Sequence, residues 1–182
     1  VIDFATQDNI DIRNIFFEAL DMKISIDNSN ALLIEIKKSN TILYLGDNAG
    51  EIILDKLLLK TIYDNYNKNL YFAVRGAPTI NDITREDADF ASIDEVATII
   101  DTGNDYPGIV LNACSEEFLD VFNKADIIIS KGQGSFESLT AADKNIYFLL
   151  MIKCNPVSRF LNAPKGNFVV AKRELLKEKQ LA

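Results

Sequence analysis

The chain has 182 residues, of which 48% are hydrophobic and 25% charged, with a formal net charge of −8, two cysteines and no histidine. That length suits one domain with a sizeable core, and the acidic balance argues against a non-specific nucleic-acid binder, which needs a positive surface to displace counterions. Without histidine there are no imidazole bases, catalytic triads or histidine zinc sites, so any catalysis falls to carboxylates, amides, lysine, arginine and oxygen-bound metal.

In chain order, Val1-Ile2-Asp3-Phe4 is strand-like from its first residue, which suggests a sequence that starts inside a longer protein. Residues 6–40 read as mainly helical, with Ile15, Phe16, Ala19 and Leu20 at helical spacing and a second stretch, Asn30 to Lys38, carrying Leu32, Leu33 and Ile36 on one side. Residues 1–40 are therefore expected to be a helical lead-in, a remnant of a larger element or packed on the core, and 41–182 an α/β core. Thr41 to Leu45 is an apolar run of strand formers ending in Gly46-Asp47-Asn48-Ala49-Gly50-Glu51. The helix expected after it has Ile53, Leu54, Leu57, Leu58 and Ile62 as its apolar residues, with Lys56, Lys60 and Asp64 on another side.

The unit then recurs in outline. Leu70 to Val74 reads as a strand running into Arg75-Gly76 and Ile80-Asn81-Asp82, followed by a helical turn at Thr84 to Ala88. Ala97 to Ile100 is a strand ending in Asp101-Thr102-Gly103-Asn104-Asp105, and Ser115 caps an acidic-fronted helix through Asn123. Ile127 to Ile129 is a strand ending in Ser130-Lys131-Gly132-Gln133-Gly134, with further strands at Ile146 to Leu150 and Asn167 to Ala171. Strands alternating with helices predict an α/β fold with a mostly parallel sheet covered on both faces. No apolar run reaches the roughly 18 residues of a membrane helix, and no secretory signal opens the chain. Cys114 and Cys154 form no close-spaced pair and read as free thiols of a reducing compartment, which points to the cytoplasm.

Four polar, glycine-containing clusters each begin where a predicted strand stops, the edge at which open α/β sheets bind ligands. Asp47 and Asn48 offer adjacent carboxylate and amide oxygens, hard donors suited to magnesium or manganese, or else an ordinary capped turn. Asp82, one β-α unit later, either completes a metal shell or caps the helix at Thr84. Asp101 is placed to orient a water or act as acid or base. Lys131, in a loop rich in backbone donors, resembles a phosphate-binding lysine, although the Walker A spacing is absent. Arg75 is a second phosphate contact, Asn81 a substrate contact, and Glu51 reaches ligand hydroxyls or complements the helix dipole.

Leu45-Gly46-Asp47-Asn48-Ala49-Gly50-Glu51, Arg75-Gly76, Ile80-Asn81-Asp82, Asp101-Thr102-Gly103 and Ser130-Lys131-Gly132-Gln133-Gly134 resemble, in order, the motifs of the damage-control phosphatase family, also known as domain of unknown function 89. The resemblance runs from about Val1 to about Val170. It implies a Rossmann-like three-layer α/β/α core and a divalent-metal-dependent phosphatase acting on small, damaged or surplus metabolites, such as sugar phosphates and phosphopantetheine-related compounds. It further implies metal ligands at Asp47, Asn48 and Asp82 and a phosphate-side lysine at Lys131. Magnesium or manganese is the expected metal, with cobalt and nickel also used in the family. Family members usually carry a helical N-terminal domain before the core, and this sequence departs from them there.

The chemistry expected is in-line attack of water on a metal-held phosphate, with Lys131 and Arg75 neutralising its oxygens and Asp101 or Glu51 positioning water or hydroxyls. The residues also leave open an aspartyl-phosphate intermediate on Asp47. Two other functions fit the pattern: an S-adenosylmethionine-dependent methyltransferase, with an acidic glycine turn holding the ribose, and a non-catalytic module that binds a phosphometabolite. The expected partner is a small phosphorylated metabolite, not nucleic acid or membrane.

Overall fold

A computed structural model describes Phe17, Ala19 and residues 21–178. The strand-like reading of Val1 to Phe4 and the helical spacing of Ile15, Phe16 and Leu20 lie outside the described residues.

Among the described residues seven strands form one sheet: β1 (Ile24–Asp27), β2 (Thr41–Leu45), β3 (Asn69–Val74), β4 (Thr98–Asp101), β5 (Ile127–Lys131), β6 (Ile146–Met151) and β7 (Phe168–Lys172). Their spatial order is β1-β7-β6-β5-β2-β3-β4. Every neighbouring pair is parallel except β6 with β7, which is antiparallel. The helices between them are α1 (Ser29–Lys38), α2 (Ile52–Asn65), α3 (Arg85–Phe90), α4 (Glu116–Lys124), α5 (Gln133–Leu139) and α6 (Asn155–Leu161), and α7 (Arg173–Glu178) follows β7. The molecule is thus α/β with three layers, as expected from the alternation of strands and helices.

Each central strand is apolar on both faces, and alternate residues feed two separate cores. Ile42 and Tyr44 of β2 pack with Leu32 and Ile36 of α1 and Ile52, Leu59 and Ile62 of α2. Leu43 and Leu45 face the other way, onto Phe118, Val121 and Phe122 of α4 and Phe136 and Leu139 of α5. The chain runs β2, β3, β4 outward in one direction, then returns to lay β5 on the opposite side of β2. The crevice between the carboxyl ends of β2 and β5 is therefore the topological switch point of the sheet, where this class of fold binds ligands.

Two local readings change, and one alternative closes. Ile24–Asp27, within a stretch read as helical, is a strand pairing parallel with β7 at the sheet edge. Its four residues carry too short a pattern to separate from helix without the partner strand. The buried face of α2 is Ile52, Asp55, Leu59 and Ile62, whereas Ile53, Leu54 and Leu57 of the expected apolar set are exposed at 59%, 51% and 63%. Asp55 turns inward because a hydroxyl and an ammonium wait for it there. Finally, Asp82 does not cap α3: the Asp87 carboxylate accepts from the Thr84 backbone N–H and hydroxyl at 2.8 and 2.7 Å and does that work.

Candidate active site

The loop after β2 is laced to the loop after β3. Ile83 N–H donates to Asp47 O at 2.8 Å, Ala49 N–H donates to Asn81 O at 2.8 Å, and Asn48 and Asp82 form an isolated antiparallel bridge. Arg75 N–H donates to Ile83 O at 2.8 Å, so the residue just after β3 is drawn to the same place. Gly46 makes the turn possible: a Cβ there would lie 2.9 Å from both Ile83 Cδ1 and Phe72 Cζ. Backbone pairing thus brings Asp47, Asn48 and Asp82 together before any side chain acts.

From the other side of the crevice, the loop after β5 closes on Asp47. Gly132 has φ +80°, and a Cβ on it would stand 2.1 Å from Asp47 Oδ2. Only glycine permits both that backbone and that approach. Lys131, the last residue of β5, lies on the same face as Ile127 and Ile129 and reaches the start of α2. Its Nζ is held by Glu51 Oε2 in a close ion pair and by Asp55 Oδ1 at 2.8 Å. Glu51 Oε1 accepts from Asn48 Nδ2 at 2.9 Å, and the same nitrogen donates to Asp47 Oδ2 at 3.1 Å. Both of these bonds use the amide nitrogen of Asn48 and leave its oxygen out of them. Asp82 Oδ2 accepts from Arg75 Nε at 2.6 Å.

The electrostatics follow from this crowding. Burial, then the charges of Glu51 and Asp82, push the Asp47 carboxyl up to about 6, against the pull of Lys131 and Arg75. Burial also raises Asp55 above the ordinary aspartate range despite its ion pair. Burial alone would lower the Lys131 ammonium, but Asp55 and Glu51 outweigh it and hold the lysine above its usual value. Asp55 Oδ2 and Arg75 Nη2 are buried without a hydrogen-bond partner.

Asp47, Asn48, Glu51, Arg75, Asp82 and Lys131 thus come together in one network, with Asn81 contributing its backbone carbonyl. Asp101 stands apart from that network: its carboxylate accepts from Gly103 N–H at 2.9 Å and pairs with Arg85 at 3.4 Å. The sequence reading missed Asp55 and Tyr44, whose hydroxyl donates to Asp55 Oδ1 at 2.7 Å. The signal was present as an acid at helical spacing within an apolar stripe, opposite a tyrosine inside an apolar strand.

Comparisons with known proteins identify the family. The model of the damage-control phosphatase ARMT1-like domain matches residues 1–169. An uncharacterised protein of Methanocaldococcus jannaschii is 46% identical over 180 residues, covering 95% of this chain and 59% of that protein. A damage-control phosphatase of Pyrococcus horikoshii is 43% identical over 148 residues, covering 81% of the chain and 52% of the relative. A damage-control phosphatase of Archaeoglobus fulgidus is 39% identical over 133 residues, covering 72% and 46%. The crystal structure of a DUF89 family protein from Pyrococcus horikoshii superposes with a TM-score of 0.88 at 39% identity, over 94% of this chain and 61% of that one. The chain therefore spans roughly half to three-fifths of the length of these relatives. The matched model covers nearly the whole sequence, and the chain belongs to the damage-control phosphatase ARMT1-like (DUF89) family.

Proposed function

We propose that this chain carries the catalytic core of a divalent-metal-dependent phosphatase that removes phosphate from small phosphorylated metabolites of the sugar phosphate or phosphopantetheine type. The observation that carries the reading is an imbalance of charge. Four carboxylates, Asp47, Glu51, Asp55 and Asp82, share the crevice with two cations, Arg75 and Lys131. An excess of two negative charges in a largely buried site calls for a divalent cation, because buried charge without a partner is costly. Burial first, and then the charges of Glu51 and Asp82, raise the proton affinity of Asp47 at this site.

The donor set fits such an ion. Among the described residues no three acidic or thiol side chains converge into a ready-made cage. Two aspartates and an amide oxygen, from Asp47, Asp82 and Asn48, are instead the sparse oxygen set that leaves room for water and phosphate, as magnesium and manganese prefer. When bound, such a metal offsets charge on the phosphate and raises the acidity of a water. The chain's own residues supply the rest. Lys131 extends an N–H toward the phosphate oxygens, and the unpartnered Nη2 of Arg75 offers a second donor. Glu51 holds Asn48 and Lys131 in register through its two oxygens. The unpaired thiols Cys114 and Cys154 suit a reducing compartment, and the reaction is proposed for the cytoplasm.

Phosphate release from a panel of small phosphate esters, p-nitrophenyl phosphate included, tests the reading. Wild type and Asp47→Ala are compared with chelator, Mg²⁺, Mn²⁺, Co²⁺ and Ni²⁺. Metal-supported release that falls by about a thousandfold or more in the variant is expected. A folded wild type that releases phosphate with none of these metals would turn the reading toward a binding module or a methyltransferase. Mass spectrometry of quenched turnover should find no phosphorylated Asp47 if water is the nucleophile.

A further inference from the structure

We propose that Asp55, clamped by Tyr44, is a positioning residue that fixes the direction of the Lys131 ammonium; the proposal rests on the phosphatase reading of the same site. Asp55 sits on the buried face of α2, 3% exposed, among Ile52, Leu59 and Ile62. A carboxylate in that stripe is costly and needs a reason. Neutralising Lys131 is not a sufficient one, since Glu51 already forms a close ion pair with it. A second acid adds negative charge to a crevice that holds an excess of it, and leaves its own Oδ2 unpartnered.

What the second acid adds is direction. An ammonium has three donors at tetrahedral angles on a flexible stem. One carboxylate leaves it free to swing about a single contact. Two carboxylates, Glu51 Oε2 and Asp55 Oδ1, fix two donors and therefore the third, which is the one left for a ligand. Asp55 is itself held, because Tyr44 donates to the same Oδ1 at 2.7 Å. Tyr44 in turn is 1% exposed, one residue before the end of β2, and stacks on Phe72 with centroids 5.6 Å apart. A rigid strand thus sets an acid, and the acid aims the lysine. Asp55 touches no substrate; it acts through Lys131.

The test is a double-mutant cycle with a second, non-catalytic readout. Asp55→Asn is compared with wild type, and Asp55→Asn/Lys131→Met with Lys131→Met, in Mn²⁺-supported hydrolysis of p-nitrophenyl phosphate. Positioning predicts a loss of about tenfold or more in kcat/KM from Asp55→Asn in the wild-type background, and less than about twofold once Lys131 is methionine. Tyr44→Phe should give a smaller loss in the same direction and serves if Asp55→Asn fails to fold. Equal losses in both backgrounds would overturn the proposal. In parallel, ¹⁵N NMR follows the slowly exchanging Lys131 ammonium resonance, assigned by its disappearance in Lys131→Met. It should be present in wild type and lost in Asp55→Asn; its persistence there, or its absence from wild type, would overturn the clamp. If wild type hydrolyses nothing with any metal, the phosphatase reading fails and the ammonium resonance alone decides the role of Asp55.

Discussion

Two clusters in this molecule are built from the same parts and behave in opposite ways. At the carboxyl edge of the sheet, Lys131 meets Glu51, Asp55 and, through Asp55, the hydroxyl of Tyr44. Where α1 packs against β6 and β7, Lys172 meets Glu35 at 2.8 Å, and Glu35 also accepts from Tyr147 OH at 2.9 Å and Asn145 Nδ2 at 2.7 Å. In the second cluster one carboxylate receives three donors. Burial would raise the Glu35 carboxyl, but the hydrogen bonds of Lys172, Asn145 and Tyr147 hold it below the usual range. In the first cluster carboxylates outnumber cations, and burial, the largest cause, pushes Asp47 and Asp55 up. A satisfied acid is a clamp that ties α1 to the sheet; an unsatisfied set of acids marks a candidate binding site.

That contrast can be broken at Gly132 with the largest effect. Gly132→Ala forces a methyl group into the Asp47 carboxylate and imposes a left-handed backbone on alanine. Metal-supported phosphate release should fall by about a hundredfold, and the unfolding free energy by about 2 kcal/mol, measured by denaturant titration. An equivalent change near Glu35 should leave turnover untouched.

Asp47→Asn sharpens the comparison by separating stability from function. In the metal-free protein the native state binds a proton at Asp47 more tightly than the unfolded chain does. Asp47 therefore destabilises the fold progressively as pH rises from the ordinary 3.8 through about 6. Asp47→Asn should be more stable than wild type by about 2 kcal/mol at pH 7 with chelator present, and the gain should vanish below about pH 4. Urea titrations at several pH values read it directly. A variant less stable than wild type at pH 7 would mean that Asp47 is satisfied as it stands.

Glu35→Gln is the smallest change and has the opposite sign. Glu35 has its pKa lowered in the native state from the ordinary 4.5, so its contribution is present above that value and lost as pH falls below it. Because the cluster is partly exposed, screening limits the loss at pH 7 to about 1 kcal/mol or less, with turnover within about twofold of wild type. Thermal unfolding at pH 7 and pH 3 should show a difference at the first and little at the second.

Much of this was legible in the residues. Apolar runs at Thr41 to Leu45, Leu70 to Val74 and Ile127 to Ile129 are strands because β-rich, doubly buried segments have few alternatives. The polar clusters behind them mark the ligand edge because buried strands must surface into loops there. Asp47, Asn48, Glu51, Arg75, Asp82 and Lys131 were named from that rule and converge around the switch point. Asp101 obeys the same rule, yet its carboxylate turns to Arg85 and Gly103, a choice made by its immediate neighbours.

The sequence by itself determined which segments after residue 40 are strands, that the sheet is mostly parallel, and which loops carry the oxygen donors, since these depend on local propensity, periodicity and short-range turn chemistry. Only the tertiary structure decided that β1 joins the sheet beside β7, that α2 buries Asp55 in place of Leu54 and Leu57, and that Tyr44, Asp55, Glu51 and Lys131 form one chain. The physical reason is that a polar group inside an apolar face is stable only beside its partner. Asp55 and Lys131 lie 76 positions apart, too far along the chain for any local pattern to pair them.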